Sequence, residues 1–87
     1  VGTGGHRETV VRTLEIIGLK NYFDIVVTSN DVDNFKPHPE TFLKCAELMN
    51  VDPSCIEVFE DGHLGLEAAR RAGMIVTDVS SWYDSNW

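Results

Sequence analysis

Residues 56–78 read IEVFEDGHLGLEAARRAGMIVTD, and this stretch decides the fold. It opens on an apolar run, Ile56-Glu-Val-Phe59, with strand character. Leu64, Ala68 and Ala72 then share one face of a helix, which Gly73 stops. Met74-Ile-Val-Thr-Asp78 closes the unit as a second strand. A helix set between two short apolar strands predicts a parallel pair joined by a right-handed crossover.

Upstream, the same alternation repeats. From His6 to Ile17, Val10, Val11, Leu14 and Ile17 recur at helical spacing, and Gly18 supplies a left-handed cap. Asp24-Ile-Val-Val-Thr28 is a β-branched run expected to form a strand. Asn30 to His38 is polar and turn-rich. Pro39 suits the first position of a helix, where its missing N–H costs nothing. Phe42, Cys45, Ala46 and Met49 form one face of that helix, Asn50 can end it, and Asp52-Pro-Ser54 is a turn. The expected architecture is one α/β unit with a parallel sheet. In such sheets ligands sit beyond the carboxyl ends of the strands, here Thr3–Gly5, Thr28–Asn30, Glu60–Gly62 and Asp78 onward.

Composition narrows the partners. The chain has 87 residues and a formal net charge of −7, which argues against a nucleic-acid backbone as partner and is compatible with a cation site. Its hydrophobic residues, 43% of the total, are spread too evenly for a membrane span. Two cysteines, Cys45 and Cys55, have no metal-finger spacing and read as small buried hydrophobes. With no signal-peptide pattern, the cytoplasm is the expected location. The chain opens at Val1 rather than Met, inside structured sequence, so it is expected to be a piece of something longer.

Three constellations carry chemistry. Val1-Gly-Thr-Gly-Gly5 runs from a strand end into a helix N-terminus, where backbone N–H groups favour an anion and Thr3 adds a hydroxyl. The plain alternative is a glycine-rich turn with Thr3 as a cap. Lys36-Pro-His-Pro39 mounts a lysine on a stiffened segment, which suits a charge that must hold one position against an anion. By itself it reads equally as a solvated loop lysine. Phe59-Glu-Asp-Gly62 is the sharpest signal. Two adjacent carboxylates repel unless a cation offsets them, and Mg²⁺ uses one or two protein carboxylates with water and phosphate around them. The competing account is an acidic turn facing solvent. His6, His38 and His63 lack metal-site spacing and read as surface or capping residues, with substrate contact conceivable; Trp82, Tyr83 and Trp87 in the tail read as packing.

Together, a strand-end Thr, a Lys-Pro-x-Pro and a Glu-Asp-Gly, in that order, resemble the haloacid dehalogenase superfamily. The resemblance is to its β-phosphoglucomutase-like and fructose-1-phosphatase-like sugar-phosphate phosphatases. Gly18-Leu19, Tyr22-Phe23-Asp24, Lys36–Phe42, Phe59–Gly62 and Gly65–Met74 carry it, across Val1 to Val79, with residues 80–87 as a tail. It implies a Rossmann-like parallel sheet with flanking helices, a small phosphorylated substrate and Mg²⁺. It further implies that Thr3 and the Gly4 amide bind the phosphoryl group and Lys36 neutralises its charge. Glu60 and Asp61 correspond to the metal-positioning pair, and Thr3, Lys36 and Asp61 are the implied catalytic residues.

The departure from the family pattern is equally specific. Its nucleophile and acid/base pair lie in an Asp-x-Asp motif on an apolar strand, and this sequence has none. Asp31-Val-Asp33 has the spacing but sits in a polar loop. The absent strand would fill the sheet centre between Val1-Gly2 and Ile56–Phe59, leaving two inner edges about 9–10 Å apart. The helical cap of these relatives is absent too. The expectation is therefore a C-terminal part of the core domain, inactive alone, whose partner is the rest of its own chain. Two rivals share some features. A signalling receiver domain orders its acidic residues before the Thr, unlike here, and a non-catalytic phosphate- or metal-binding module would lack an upstream Asp-x-Asp.

Overall fold

The computed structural model describes residues 1–82. Helix α1 spans Arg7–Ile16, α2 spans Glu40–Met49 and α3 spans His63–Arg71. Strands β1 (Glu57–Glu60) and β2 (Ile75–Asp78) flank α3 and pair in parallel, with Glu57 opposite Ile75 and Glu60 opposite Asp78. The quoted stretch thus folds as its pattern predicts. Gly73 leaves α3 with φ +77°, a left-handed conformation that glycine adopts without a Cβ clash. Gly18 does the same after α1, and Asn50 (φ 55°) ends α2.

The core is built where α2 and α3 meet the sheet. Phe42, Ala46, Val58, Ala68, Ala69, Ala72 and Met74 form one buried cluster, with Ile56 and Val76 against it. Ala68 and Ala69 are fully buried; side chains this small let α3 approach the strands closely. A second cluster joins Val27 and Val32 to Cys45, with Ile25 alongside. Helix α2 contributes to both clusters, so it ties the loop after residue 28 to the β1–β2 pair. Among the described residues, no helix is long and apolar enough to cross a membrane.

Four sequence expectations change. The run Asp24–Thr28 forms a single parallel bridge, Gly2 to Val27, rather than a strand, because its partner segment Val1–Thr3 turns at once into the glycine loop. The segment is nonetheless bonded, by Val27 N to Val1 O (2.7 Å) and Thr3 N to Val27 O (2.9 Å). Cys55 is exposed in a 3₁₀ turn, Pro53–Cys55, while Cys45 is buried as expected. Leu64, Met49 and Ile17 are exposed: Leu64 lies off the buried face of α3, Met49 is the last residue of α2, and Ile17 caps α1, none of whose residues is buried. Trp82 is exposed, with its ring tilted 56° against Phe59 at 6.2 Å; Tyr83 and Trp87 lie outside the described residues.

The sheet is in two pieces. Among the described residues, strand β1 is laddered to β2 only, and the Gly2–Val27 bridge stands apart from that pair. The Lys36 side chain links the two pieces.

Candidate functional site

The site forms where three segments converge: the turn after β1, the glycine loop before α1, and the loop leading into α2. The chain reverses at Asp61-Gly62 because β1 must hand over to α3, whose N-cap is Gly62. Glu60 is the last residue of β1, and its carboxylate folds back over the turn. Its Oε1 accepts the N–H of Asp61 (3.1 Å) and of Gly62 (3.2 Å). Those amides lie at the positive end of α3, which favours an anion.

Glu60 Oε2 meets the Lys36 ammonium at 3.1 Å, with both side chains more than four-fifths withdrawn from solvent. Lys36 Nζ also donates to the Gly2 carbonyl at 3.3 Å and lies 4.7 Å from the centroid of the Phe42 ring. One ammonium therefore touches the strand end before Thr3, the strand end at Glu60 and an aromatic face in the core. Charge-assisted hydrogen bonding and cation–π attraction hold it there jointly.

The loop carrying Lys36 is shaped by Glu40. Its Oε1 accepts Asp33 N–H at 2.7 Å, and Oε2 accepts Asn34 N–H at 3.1 Å and the Asn34 amide at 2.9 Å. These donors, the Asp33 backbone first, hold the Glu40 carboxyl below the usual range. His38 Nδ1 accepts the Glu40 N–H at 3.1 Å, so His38 is a capping residue of α2. The Lys36–Pro37 bond is cis.

A second clamp fixes the glycine loop. Asp31 Oδ2 accepts the Thr28 N–H (2.8 Å) and hydroxyl (3.0 Å), and it pairs with Arg7. Arg7 Nη2 also donates to Val26 O at 2.9 Å, while its backbone N–H is capped by Asn30 Oδ1 at 2.8 Å. Ser29 N–H reaches Gly5 O at 3.0 Å. The Thr28 backbone N–H, then Arg7, hold the Asp31 carboxyl below its ordinary value. Asp31 is thus occupied as a capping group of a polar turn, in keeping with its rejection as a strand-borne nucleophile. Thr3 Oγ1 accepts the Gly5 N–H at 3.1 Å within the same loop.

Of the residues singled out in the sequence, Lys36 and Glu60 are brought into contact, and Lys36 reaches the backbone beside Thr3. Asp61 is exposed on the turn next to Glu60. His63 opens α3 and His6 precedes α1. Arg7, Asp31 and Glu40 were not singled out as site residues. Thr28-x-x-Asp31 has the capping-box spacing that could have flagged the first clamp.

Among the described residues no group of three or more His, Cys, Asp or Glu could hold a metal ion. Glu60 and Asp61 nevertheless offer hard carboxylate oxygens on one short turn. That donor chemistry fits Mg²⁺, which takes one or two protein carboxylates and fills its other positions with water and phosphate.

The family model for haloacid dehalogenase-like hydrolases matches residues 1–79. The fructose-1-phosphate phosphatase of Escherichia coli K12 is 47% identical over 79 residues, covering 91% of this chain and 42% of that protein. The phosphorylated carbohydrates phosphatase of Thermotoga maritima is 44% identical over 68 residues, covering 78% and 31%. The crystal structure of a candidate β-phosphoglucomutase from Thermotoga maritima superposes with a TM-score of 0.78 at 39% identity, covering 86% of this chain and 35% of that one. The chain spans about two fifths of the length of the E. coli relative. Motif order, the parallel β1–α3–β2 unit and these matches have one reading: the chain belongs to the haloacid dehalogenase-like hydrolase family.

Proposed function

We propose that these residues form the phosphate- and metal-facing part of a Mg²⁺-dependent phosphatase acting on a small sugar phosphate. The observation that supports this most is the Lys36–Glu60 pair, set between two strand ends and against the Gly2 carbonyl. Phosphoryl transfer is catalysed mainly by positioning and charge neutralisation, which a fixed ammonium beside a carboxylate provides.

Each residue has a defined part in this reading. Thr3 Oγ1 and the Gly4 N–H bind oxygens of the transferred phosphoryl group. Lys36 offsets their negative charge and keeps its place through Glu60 and the Phe42 ring. Glu60 and Asp61 hold Mg²⁺, which neutralises phosphate charge when bound. The nucleophile is an aspartate from an Asp-x-Asp strand outside this sequence, lying between the Gly2–Val27 bridge and β1. Its carboxylate oxygen attacks phosphorus, the P–O bond to the sugar breaks, and the second aspartate protonates the departing alkoxide. Water then hydrolyses the aspartyl phosphate and releases phosphate. The 87 residues alone lack that nucleophile and do not turn over.

The test is phosphate release by the full-length protein from a panel of hexose and pentose monophosphates, with Mg²⁺ and with EDTA. Mg²⁺-dependent release from at least one sugar phosphate is the expected result. No release from any of them at saturating Mg²⁺ overturns the proposal. The likeness to a candidate β-phosphoglucomutase favours one second reading, a mutase. Conversion between sugar-phosphate isomers without net phosphate release would establish it.

A further inference from the structure

We infer that Gly65 is a positioning residue: its missing side chain makes the notch that holds the Glu60 carboxylate against Lys36. Gly65 is the third residue of α3 and is buried there. The interior of a helix disfavours glycine, because it loses the most backbone freedom on folding and packs nothing. Every Cα–Cβ bond in a helix leans toward the N-terminus, so a side chain here would lean back over the turn that precedes α3. The Glu60 carboxylate occupies that turn.

The distances show how little room remains. A Cβ built on Gly65 would lie 2.0 Å from Glu60 Oε2, 2.3 Å from its Cδ and 2.6 Å from its Cγ. All three nearest atoms belong to the one side chain. Gly62, closer in sequence, would place a Cβ 3.6 Å from Glu60 Oε1, an ordinary contact, and Gly73 meets nothing within 4 Å. At position 65 the steric demand for glycine therefore comes from the Glu60 carboxylate, whereas Gly73 answers to its positive φ.

Glu60 could escape a Cβ by swinging out, but its other contacts oppose that. Oε1 is bonded to the Asp61 and Gly62 amides and Oε2 to Lys36. A displaced carboxylate gives up these donors together and releases Lys36 from its seat beside Gly2. Gly65 thus acts through Glu60 on Lys36 and touches no reacting atom. Its catalytic consequence rests on the proposed phosphatase reading; its steric coupling to Glu60 does not.

The experiment is a double-mutant cycle in the full-length protein, with Gly65→Ala made in the native background and in Glu60→Ala. Thermal midpoint is the first readout. In the native background Gly65→Ala lowers the midpoint or prevents folding. In the Glu60→Ala background the same change leaves the midpoint unchanged or raises it, since the obstacle is gone and alanine is the better helix former. The second readout, for folded Gly65→Ala, is the Mg²⁺ concentration giving half-maximal phosphate release. It rises by about 10-fold, the usual effect of losing a residue that orients a metal ligand. At saturating Mg²⁺ kcat falls as well, because the displaced carboxylate releases Lys36 from its seat beside Gly2.

Equal loss of midpoint in both backgrounds overturns the inference, as does a double variant that fails to fold. A Gly65→Ala protein with native midpoint and native Mg²⁺ requirement also overturns it. A native protein that releases no phosphate sinks the phosphatase reading alone, because the thermal cycle still decides the coupling.

Discussion

Lys36 and Glu60 stand 24 residues apart in sequence and 3.1 Å apart in space, and their ion pair joins two pieces of sheet that share no ladder among the described residues. Each member has further partners. Glu60 has two turn amides, and Lys36 has the Gly2 carbonyl and the Phe42 ring. The pair is sheltered enough that removing one charge leaves the other poorly solvated.

Replacing Lys36 with Met keeps the aliphatic stem against Phe42 and removes the charge. Glu60 then retains its amides but loses its counter-ion, at a cost of about 1–3 kcal/mol. In the full-length protein, phosphate release falls by about 10²–10³-fold, the scale for losing one preorganised charge-stabilising group. Denaturant titration checks the first figure and kcat the second. An unchanged kcat would remove Lys36 from the catalytic site.

Glu40 makes a prediction about pH. Its carboxyl is held below the usual value by N–H donors, so the folded state binds the proton less readily than the unfolded chain. For a depressed carboxyl the stabilising contribution is complete above the unfolded value, about 4.3 for glutamate, and is lost as pH falls through the lower folded value. Thermal midpoints of the native protein should therefore drop more steeply below about pH 4.3 than those of Glu40→Gln. At pH 7 the Gln variant is the less stable of the two, since its amide oxygen can accept from only part of the Asp33–Asn34 set. Parallel pH curves for both proteins would show that the loop is held some other way.

Much of this site was legible in sequence, and the reasons for the gaps are physical. Residues 56–78 declare their fold because apolar runs and a helical stripe alternate there, and a φ-positive glycine ends the helix. The same stretch misleads on Leu64. The buried face of α3 runs through Gly65, Leu66, Ala68 and Ala69 and on to Ala72, but Leu64 keeps the four-residue spacing with Ala68 and Ala72, so the periodicity points to the wrong leucine. Val27 and Ile25 are buried or half-buried as a strand would bury them, yet strand assignment depends on a partner segment that one run cannot disclose. Topology puts Glu60 at a strand end, but Lys36 lies on the loop into α2, and its reach to Glu60 depends on how that loop is held through Glu40, which no spacing discloses. The notch at Gly65 is hidden too, because a clash with an absent atom leaves no trace in composition or spacing.

The Arg7–Asp31–Thr28 clamp predicts a coupled loss. Thr28 is fully buried, and its N–H and hydroxyl both end on Asp31. Asp31→Ala removes the cap of the Ser29–Asp31 turn and strands those donors, costing about 0.5–2 kcal/mol. Arg7→Met costs less, because the exposed ion pair contributes at most about 1 kcal/mol. The two losses should fall short of additive when combined, as contacting residues share one interaction. Full additivity in chemical denaturation would mean that the glycine loop and the 28–31 turn are held independently.

The two cysteines differ in a way that tests the packing around α2. Cys45 Sγ lies 3.8 Å from the Val1 carbonyl and belongs to the buried cluster with Val27 and Val32, and burial pushes its thiol up from the ordinary range. The thiolate is the reactive form, so Cys45 is disfavoured both by access and by ionisation. Cys55 is exposed on the turn before β1. Brief treatment of the native full-length protein with iodoacetamide at pH 8, followed by peptide mapping, should find Cys55 alkylated and Cys45 intact. Denaturant should equalise them. Early modification of Cys45 would place the α2 contact with the Val27 bridge among the first parts of the fold to open, because the thiol cannot be reached while that contact is closed.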